Sequence, residues 1–397
     1  MPEPSLGDRT VEAARLLLIG VMVALFFSPP VTVLLELSLF GLMLSTAVLR
    51  TRLWRAVRHP PGALALAFWA VVTLGLLYTE GPPGESFNIW LSWRRVVLLV
   101  VALALFDEVA AKRRLVWTFV VVAAACAAAS YAAVLLDFTW YKYEPGITVR
   151  NHATQGMFFT VAAFASILLM KAERGPGVRV ALAAAALLLF TNAVFVTPGR
   201  SGYVVVAVLA AALVWAWPSA APMKRLAWAS AATLLALAVL ASSPVVRERV
   251  AQGVDEALTY RQAREKTSIG LRVAFLRNTL ELIAERPVIG YGTGAFEVAY
   301  TRHVQGRPGM DGMPTHDPHN QFLKIAAEHG LIGLAVFLAL LAAAFRQRGA
   351  PPPYRLLGLG VLAAWCATSL FNSHFSTFAE GRFIWLWLGA CLASPRS

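Results

Sequence analysis

Long apolar runs and short polar breaks alternate along the whole of this 397-residue chain. The runs last about 17 to 22 residues, enough for an α-helix to cross a ~30 Å hydrocarbon core. None shows the period of two that a membrane-spanning strand needs, which argues against a β-barrel. Twelve spans are predicted, near 11–28, 31–49, 62–79, 90–106, 115–136, 153–170, 178–197, 202–217, 226–241, 322–345, 355–371 and 382–394. The pattern is that of an all-α, polytopic integral membrane protein. Arg9 and Arg15 lead into the first run, but no small-residue cleavage site separates it from the second, so it is expected to stay as a span.

Basic residues set the expected orientation. Arg50, Arg52, Arg55 and Arg58, then Lys112, Arg113 and Arg114, Lys171, Arg174 and Arg179, Lys224 and Arg225, and Arg346, Arg348 and Arg355 occupy alternate loops. All fall on one side if the N-terminus is cytoplasmic. The predicted organisation is nine helices over 1–241, an outward-facing loop subdomain over 242–318, and three helices over 319–397. Within the loop, "TSIGLRVAFLRNTLELIAERPVIGYGTGAF" reads as a helix capped by Thr267 or Ser268 and ended by Pro287. Val273, Leu276, Leu280 and Ile283 recur at spacings of three and four, which predicts the face that packs on the membrane domain or in its interface. Gly290, Gly292 and Gly294 follow a helix rather than a strand, so a glycine-rich turn is expected there and not a dinucleotide loop.

Charge changes the picture. The chain holds 35 Lys and Arg against 22 Asp and Glu, a formal net charge of +13, and 29 of the cations are arginine. A positive-inside bias accounts for the inner loops only. Yet Arg94, Arg95, Lys142, Arg150, Arg200, Arg382 and ten basic residues from Arg247 to Arg307 are placed outside. The planar fork of arginine suits bidentate binding of phosphate. The plainer alternative is pairing with acids of the loop, such as Glu248, Glu256 and Glu265. That alternative serves Arg200 least, because "FVTPGRSGYVVV" sets it in a tight turn between two spans, where Pro198, Gly199 and Gly202 break the helix. There it either anchors at the interface by snorkelling or binds an anionic headgroup, and the second is favoured. Arg272 and Arg277 stand about 140° apart on an ideal helix, so one phosphate cannot easily engage both, and Arg272 is preferred. Nucleic acid is not expected, since the cations face away from the cytoplasm and no nucleic-acid fold is visible. Cys126, Cys366 and Cys391 lie in apolar spans, so the loop owes nothing to disulfides.

Of seven histidines, His316 and His319 in "THDPHN" stand out. Together with Asp317 they offer metal ligands, but Pro318 keeps them off one helical turn and no glutamate follows at zincin spacing, so no metal is expected. The favoured reading is a single catalytic base. His319 sits at the mouth of the tenth span, where a helix N-terminus disfavours the imidazolium. Asn320 either orients the ring or caps the helix. Glu328, about 13 Å deeper on an ideal helix, is expected to be an interhelical partner rather than a second acid.

These residues resemble a known family. "HNQFLKIAAEHGLIG", "GLRVAFLRNTLELIAERPVIGYGTGAF" and "TPGRSGYV" are together similar to the O-antigen ligase and polymerase superfamily of bacterial envelope glycosyltransferases, most sharply over 195–335. The resemblance implies a GT-C-like, mainly helical enzyme of the inner membrane, acting at the periplasmic face without nucleotide sugar, metal or cofactor. It implies transfer of a glycan from undecaprenyl pyrophosphate to an acceptor, with lipid A-core oligosaccharide as the acceptor of the ligase. His319 would be the general base, and Arg200 and Arg272 would hold the pyrophosphate. Arg150 and His152 in "VRNHATQG" would contact sugar or core phosphate. Glu380 and Arg382 in "FAEGRF" would either do the same or form a salt bridge. Arg277, His316 and Asn320 complete the candidate set. One large outer loop favours the ligase over the polymerase; a protein O-oligosaccharyltransferase is a third member with the same donor. A transporter or flippase for an anionic lipid is the alternative from another class, and it would place ionisable groups within the spans rather than at their outer rim.

Overall fold

The computed structural model describes residues 5–139, 145–215, 222–248, 250–251 and 268–395. Lys142, Glu256, Glu265 and the proposed cap Thr267 lie outside them. The helices are α1 (Leu6–Phe27), α2 (Pro29–Ser45), α3 (Ala47–Arg58), α4 (Pro60–Leu74), α5 (Pro83–Trp93), α6 (Val97–Leu105), α7 (Val109–Leu135), α8 (His152–Ala172), α9 (Pro176–Phe195), α10 (Arg200–Trp215), α11 (Pro222–Ser242), α12 (Ser268–Glu285), α13 (Phe296–Val304), α14 (Gln321–Arg346), α15 (Tyr354–Thr368) and α16 (Phe378–Leu392). No strand occurs among the described residues. Every predicted span contains a helix, and seven helical stretches are long and apolar enough to cross a membrane by themselves. The protein is a multi-pass membrane protein.

One predicted span is not straight. The run expected over 31–49 is divided between α2 and α3, which are bent by 100° at Thr46. Thr46 is extended, and its hydroxyl caps α3 by accepting the Leu49 amide. The cause is the four arginines of α3. Arg50, Arg52, Arg55 and Arg58 suit an amphipathic helix and not the hydrocarbon core.

The bundle is built around α8 and α16. Residues 379–392 are buried on every side of α16, as are 154–166 of α8. Both helices are apolar around their circumference, so burial suits every face. Phe26, Phe119, Phe158, Phe383 and Trp387 interlock there, with ring centroids 5.0 Å apart for Phe119–Phe383 and 5.2 Å for Phe26–Phe158. Lys112 closes the end of α16 by donating to the carbonyls of Ala390 (2.6 Å) and Ala393 (2.8 Å), which satisfies acceptors that a helix end leaves open.

A second core joins α12 and α13, with Phe275, Leu282, Tyr291, Phe296 and Tyr300 closing over Ala327 of α14. Of the stripe expected to pack on the membrane domain or in the outer interface, Ile283 packs against this core, whereas Val273, Leu276 and Leu280 are not covered by the protein. The side buried within the protein is Ala274, Phe275, Asn278, Thr279 and Leu282, with Phe275 edge-on against Tyr300. In the seam beneath, α14 is broken at Gly330, whose φ of +63° is a conformation that side chains rarely adopt. Segment 287–292 splints the break. Tyr291 and Gly292 donate to the carbonyls of Ala327 and Glu328 (3.0 and 2.8 Å), and Leu331 and Ile332 donate to those of Pro287 and Val288 (2.7 and 3.3 Å). Glu328 accordingly meets the backbone amides of Gly294 and Phe296 at the start of α13. The glycine-rich turn is thus a structural clasp between loop and span.

Candidate functional site

A cavity of about 540 Å³ opens where α8 and α10 begin, between them, α12 and the segment that follows α15. Among the described residues, His152, Ala153, Pro198, Arg200, Ser201, Val204, Arg272, Thr368, Phe371 and Asn372 line it, and none of these is a carboxylate. The sequence "TPGRSG" brings Arg200 here through a close approach of helices. A Cβ on Gly199 would sit 2.6 Å from the His152 carbonyl, and one on Gly202 would sit 3.0 Å from the Gly156 backbone. Arg272 arrives from the second turn of α12, 72 positions further along the chain. The N-terminal ends of α8 and α10 add partial positive charge. The cavity is therefore cationic, polar and of a size to hold one phosphorylated group.

His319 stands beside this cavity rather than in its lining. Its φ of +55° is one of three positive values among the described non-glycine residues. Such strain is held in place by its surroundings. Asp317 Oδ1 accepts the His319 amide (2.8 Å) and the Ser373 hydroxyl (2.8 Å), and the imidazole stacks on Phe275 at 6.2 Å and 24°. Burial, with Arg272, His316 and Lys324 adding to it, holds the imidazole below its ordinary 6.5, while Asp317 pulls it upward. Arg272 is thus the electrostatic link between histidine and cavity. Asn320 caps α14, accepting the amides of Phe322 (3.0 Å) and Leu323 (3.1 Å), and donates to the Leu370 carbonyl. Of the two roles open to it, capping is the one it plays.

Residues 184–338 match the family model described as O-antigen ligase. The match covers 155 of the 397 residues and supports a likeness of that region to the O-antigen ligase and polymerase superfamily. The match spans Arg200, Arg272 and His319, and it ends before the segment that follows α15. No curated protein matches the chain.

That last segment, "SLFNSHFST", is the part of the cavity's surroundings that sequence reasoning missed. Ser369 and Asn372 carbonyls accept the Gln321 amide, Ser373 holds Asp317, and Asn372 Nδ2 donates to Ser201 Oγ (3.2 Å). The His374 Nε2 lies 3.1 Å from the same hydroxyl. The segment therefore ties the turn bearing His319 to the helix start bearing Arg200. Its cluster of short polar residues between two apolar runs was the available signal.

The remaining candidates divide. His152 lines the cavity. His316 is exposed, and its carbonyl accepts from Lys324 (3.1 Å). Among the described residues, no three of His, Cys, Asp and Glu are grouped to hold a metal. Arg277 is bound to Asp311 and Glu281, away from the cavity wall. Arg150, with a φ of +41°, lies 4.7 Å over the ring of Phe378, and Arg382 lies 4.1 Å over the same ring. Glu380 and Arg382 do not pair with each other. Glu380 accepts the hydroxyls of Thr154 and Thr377, whereas Arg382 reaches Glu36 of α2 (2.8 Å), which also pairs with Arg94 (3.4 Å). A fully buried Glu36 within a span departs from the expectation that ionisable groups gather at the rim, but two arginines compensate it.

Proposed function

We propose that this protein is an O-antigen ligase, which transfers a glycan from undecaprenyl pyrophosphate to lipid A-core oligosaccharide at the periplasmic face of the bacterial inner membrane. In this reading twelve helical crossings form a GT-C-like scaffold, and segment 242–318 is its periplasmic subdomain. One observation carries it: a cavity lined by two arginines from distant helices, beside a histidine whose pKa is lowered by burial and by one of those arginines.

The reaction needs three things at one place. An acceptor hydroxyl must lose its proton as its oxygen attacks the anomeric carbon. The carbon–oxygen bond to the pyrophosphate must break on the opposite face, which inverts the configuration. The departing electron pair must be stabilised on phosphate oxygen. A neutral His319 takes the proton through an imidazole nitrogen, and its lowered pKa keeps that nitrogen available. Arg200 and Arg272 receive the charge that grows on the leaving group, where fixed cations in a partly dry site act strongly. In this reading His152, which lines the cavity, and Arg150 would contact sugar or core phosphate.

The test is transfer by purified protein from undecaprenyl pyrophosphate-linked oligosaccharide to lipid A-core. Transfer that needs both substrates and is lost in a folded His319→Ala variant supports the ligase. Chain lengthening without the lipid A acceptor would make it a polymerase. Uptake of intact donor lipid without any new glycosidic bond would make it a transporter.

A further inference from the structure

Ser201 lies in the wall of the cavity beside Arg200, and two side chains from outside the matched region reach its hydroxyl, Asn372 from the same wall and the buried His374. Ser201 is 8% exposed and His374 is 5% exposed, so their hydrogen bonds must be satisfied within the protein or by a ligand. Asn372 Nδ2 donates to Ser201 Oγ, which fills one lone pair. His374 Nε2 is the second neighbour, and the imidazole has another nitrogen, Nδ1, that is buried with no partner.

The tautomer follows from that bare nitrogen. If the proton sat on Nδ1, a buried N–H would be left without an acceptor, which is the rarer and costlier defect. With the proton on Nε2, only a lone pair is left without a donor. Burial keeps the ring neutral, with Glu380 and Asp317 pulling the other way. Nε2–H therefore donates to Ser201 Oγ and fills its second lone pair. The only hydrogen-bonding capacity left to the hydroxyl is its own proton. With both acceptor positions filled, that proton is what the hydroxyl can offer to a group in the cavity that Ser201 and Asn372 line together.

We infer that Ser201 is a further ligand of the donor's pyrophosphate, a hydroxyl that donates to a phosphate oxygen between Arg200 and Arg272, and that His374 and Asn372 are the positioning residues that make it donor-only. The inference rests on the proposed donor chemistry and adds a neutral contact to the two charged ones. It also gives the segment after α15 a part in recognition beyond bracing His319. An uncharged donor in such a site adds one more directional bond to those of the guanidinium forks and further fixes the orientation of the phosphate.

The experiment is titration of the full-length protein in detergent with a short-chain polyprenyl pyrophosphate, followed by calorimetry. Ser201→Ala is expected to weaken binding by roughly tenfold to a hundredfold, the range for a hydrogen bond to a charged group, and also to lower the melting temperature because Asn372 and His374 lose their acceptor, so Ser201→Thr is the variant that separates the two effects. Ser201→Thr, which keeps the hydroxyl, is expected to restore most of it. His374→Leu is expected to weaken binding in the wild-type background and to have little further effect in Ser201→Ala, because a positioning role disappears with the group positioned. A general structural role would weaken both backgrounds equally, and that result would overturn the assignment of His374. Unchanged binding in Ser201→Ala, with binding lost in Arg272→Ala, would overturn the assignment of Ser201 and leave the proposed function standing. A wild-type protein that binds no pyrophosphate would overturn both.

Discussion

Arg272 and Arg277 stand five residues apart on one helix and meet different surroundings. Arg277 is paired with Asp311 and Glu281, Arg307 with Glu281 (2.7 Å), and Arg286 and Arg302 with Glu80. The hydrogen bond from Arg302 holds Glu80 below the usual carboxylate range, and that from Arg307 does the same for Glu281. These pairs fasten α12 to the segment that follows α13, and the end of α12 and α13 to Glu80 in the segment between α4 and α5. Arg272, by contrast, lines a cavity with Arg200, and none of the described residues in their shared wall is a carboxylate. The contrast separates two uses of one residue type. Arg277 and its neighbours join elements of the fold through acids; Arg272 also stands in a cavity wall, where its positive field reaches whatever enters.

The largest effects should therefore follow the cavity wall. His319→Ala is expected to lower the transfer rate by roughly 10²–10⁴-fold, as loss of a general base does. Arg200→Ala and Arg272→Ala are expected to lower it by roughly 10²–10³-fold, the usual consequence of removing one stabilising donor from a developing charge. Arg277→Ala, on the same helix, should change it by less than about threefold, since an exposed pair contributes little. Initial rates of monodisperse protein decide the matter. An Arg277→Ala defect as deep as that of Arg272→Ala would erase the distinction between the two regions.

A smaller effect tests how the cavity and His319 are joined. The base works only when neutral, and its value in the folded protein lies below 6.5. Activity should hold at neutral pH and decline only as pH falls through that lowered value. Arg272→Gln removes a cation that disfavours the imidazolium, so its acid limb should move to higher pH. Asp317→Asn removes an anion that favours the imidazolium, so its limb should move lower. The profile of kcat/KM against pH reads both shifts regardless of how much rate each variant loses. If the limb stays in place in Arg272→Gln, His319 is not coupled to the cavity.

How far the sequence revealed this depends on the range of each signal. Membrane helices were legible because backbone hydrogen bonding and hydrocarbon thickness act locally on each run. Arg200, Arg272 and His319 were legible because each interrupts an apolar pattern. The bend at Thr46 was not, because composition changes there from apolar to basic without a proline or glycine. The side of α12 buried within the protein was not, because two apolar stripes were available and Phe275 packs on Tyr300, 25 residues away. Asp317 and Ser373, or Ser201 and His374, form pairs across 56 and 173 positions. No periodicity reports a hydrogen bond between loops so distant. The polar cluster after α15 was visible, but its partners were not.

The smallest expected effect lies farthest from the cavity and gives the comparison its sharpest control. Arg302 is 60% exposed in its side chain, and Glu80 has a second partner in Arg286. Arg302→Gln should cost at most about 1 kcal/mol of stability, and the loss should shrink as salt screens the pair. Glu80→Gln removes the anion from both arginines at once and should cost more than either arginine change, while the backbone bond from the Glu80 amide to the Tyr291 carbonyl (3.1 Å) still holds the segment. Thermal unfolding at low and high salt, read beside transfer rates, measures both. Small stability losses with transfer intact would show that neutralised arginines serve the fold alone. Transfer that falls in Arg302→Gln as far as in Arg272→Gln, at an unchanged melting temperature, would mean that the ligand is held by the whole cationic face and not by the cavity wall.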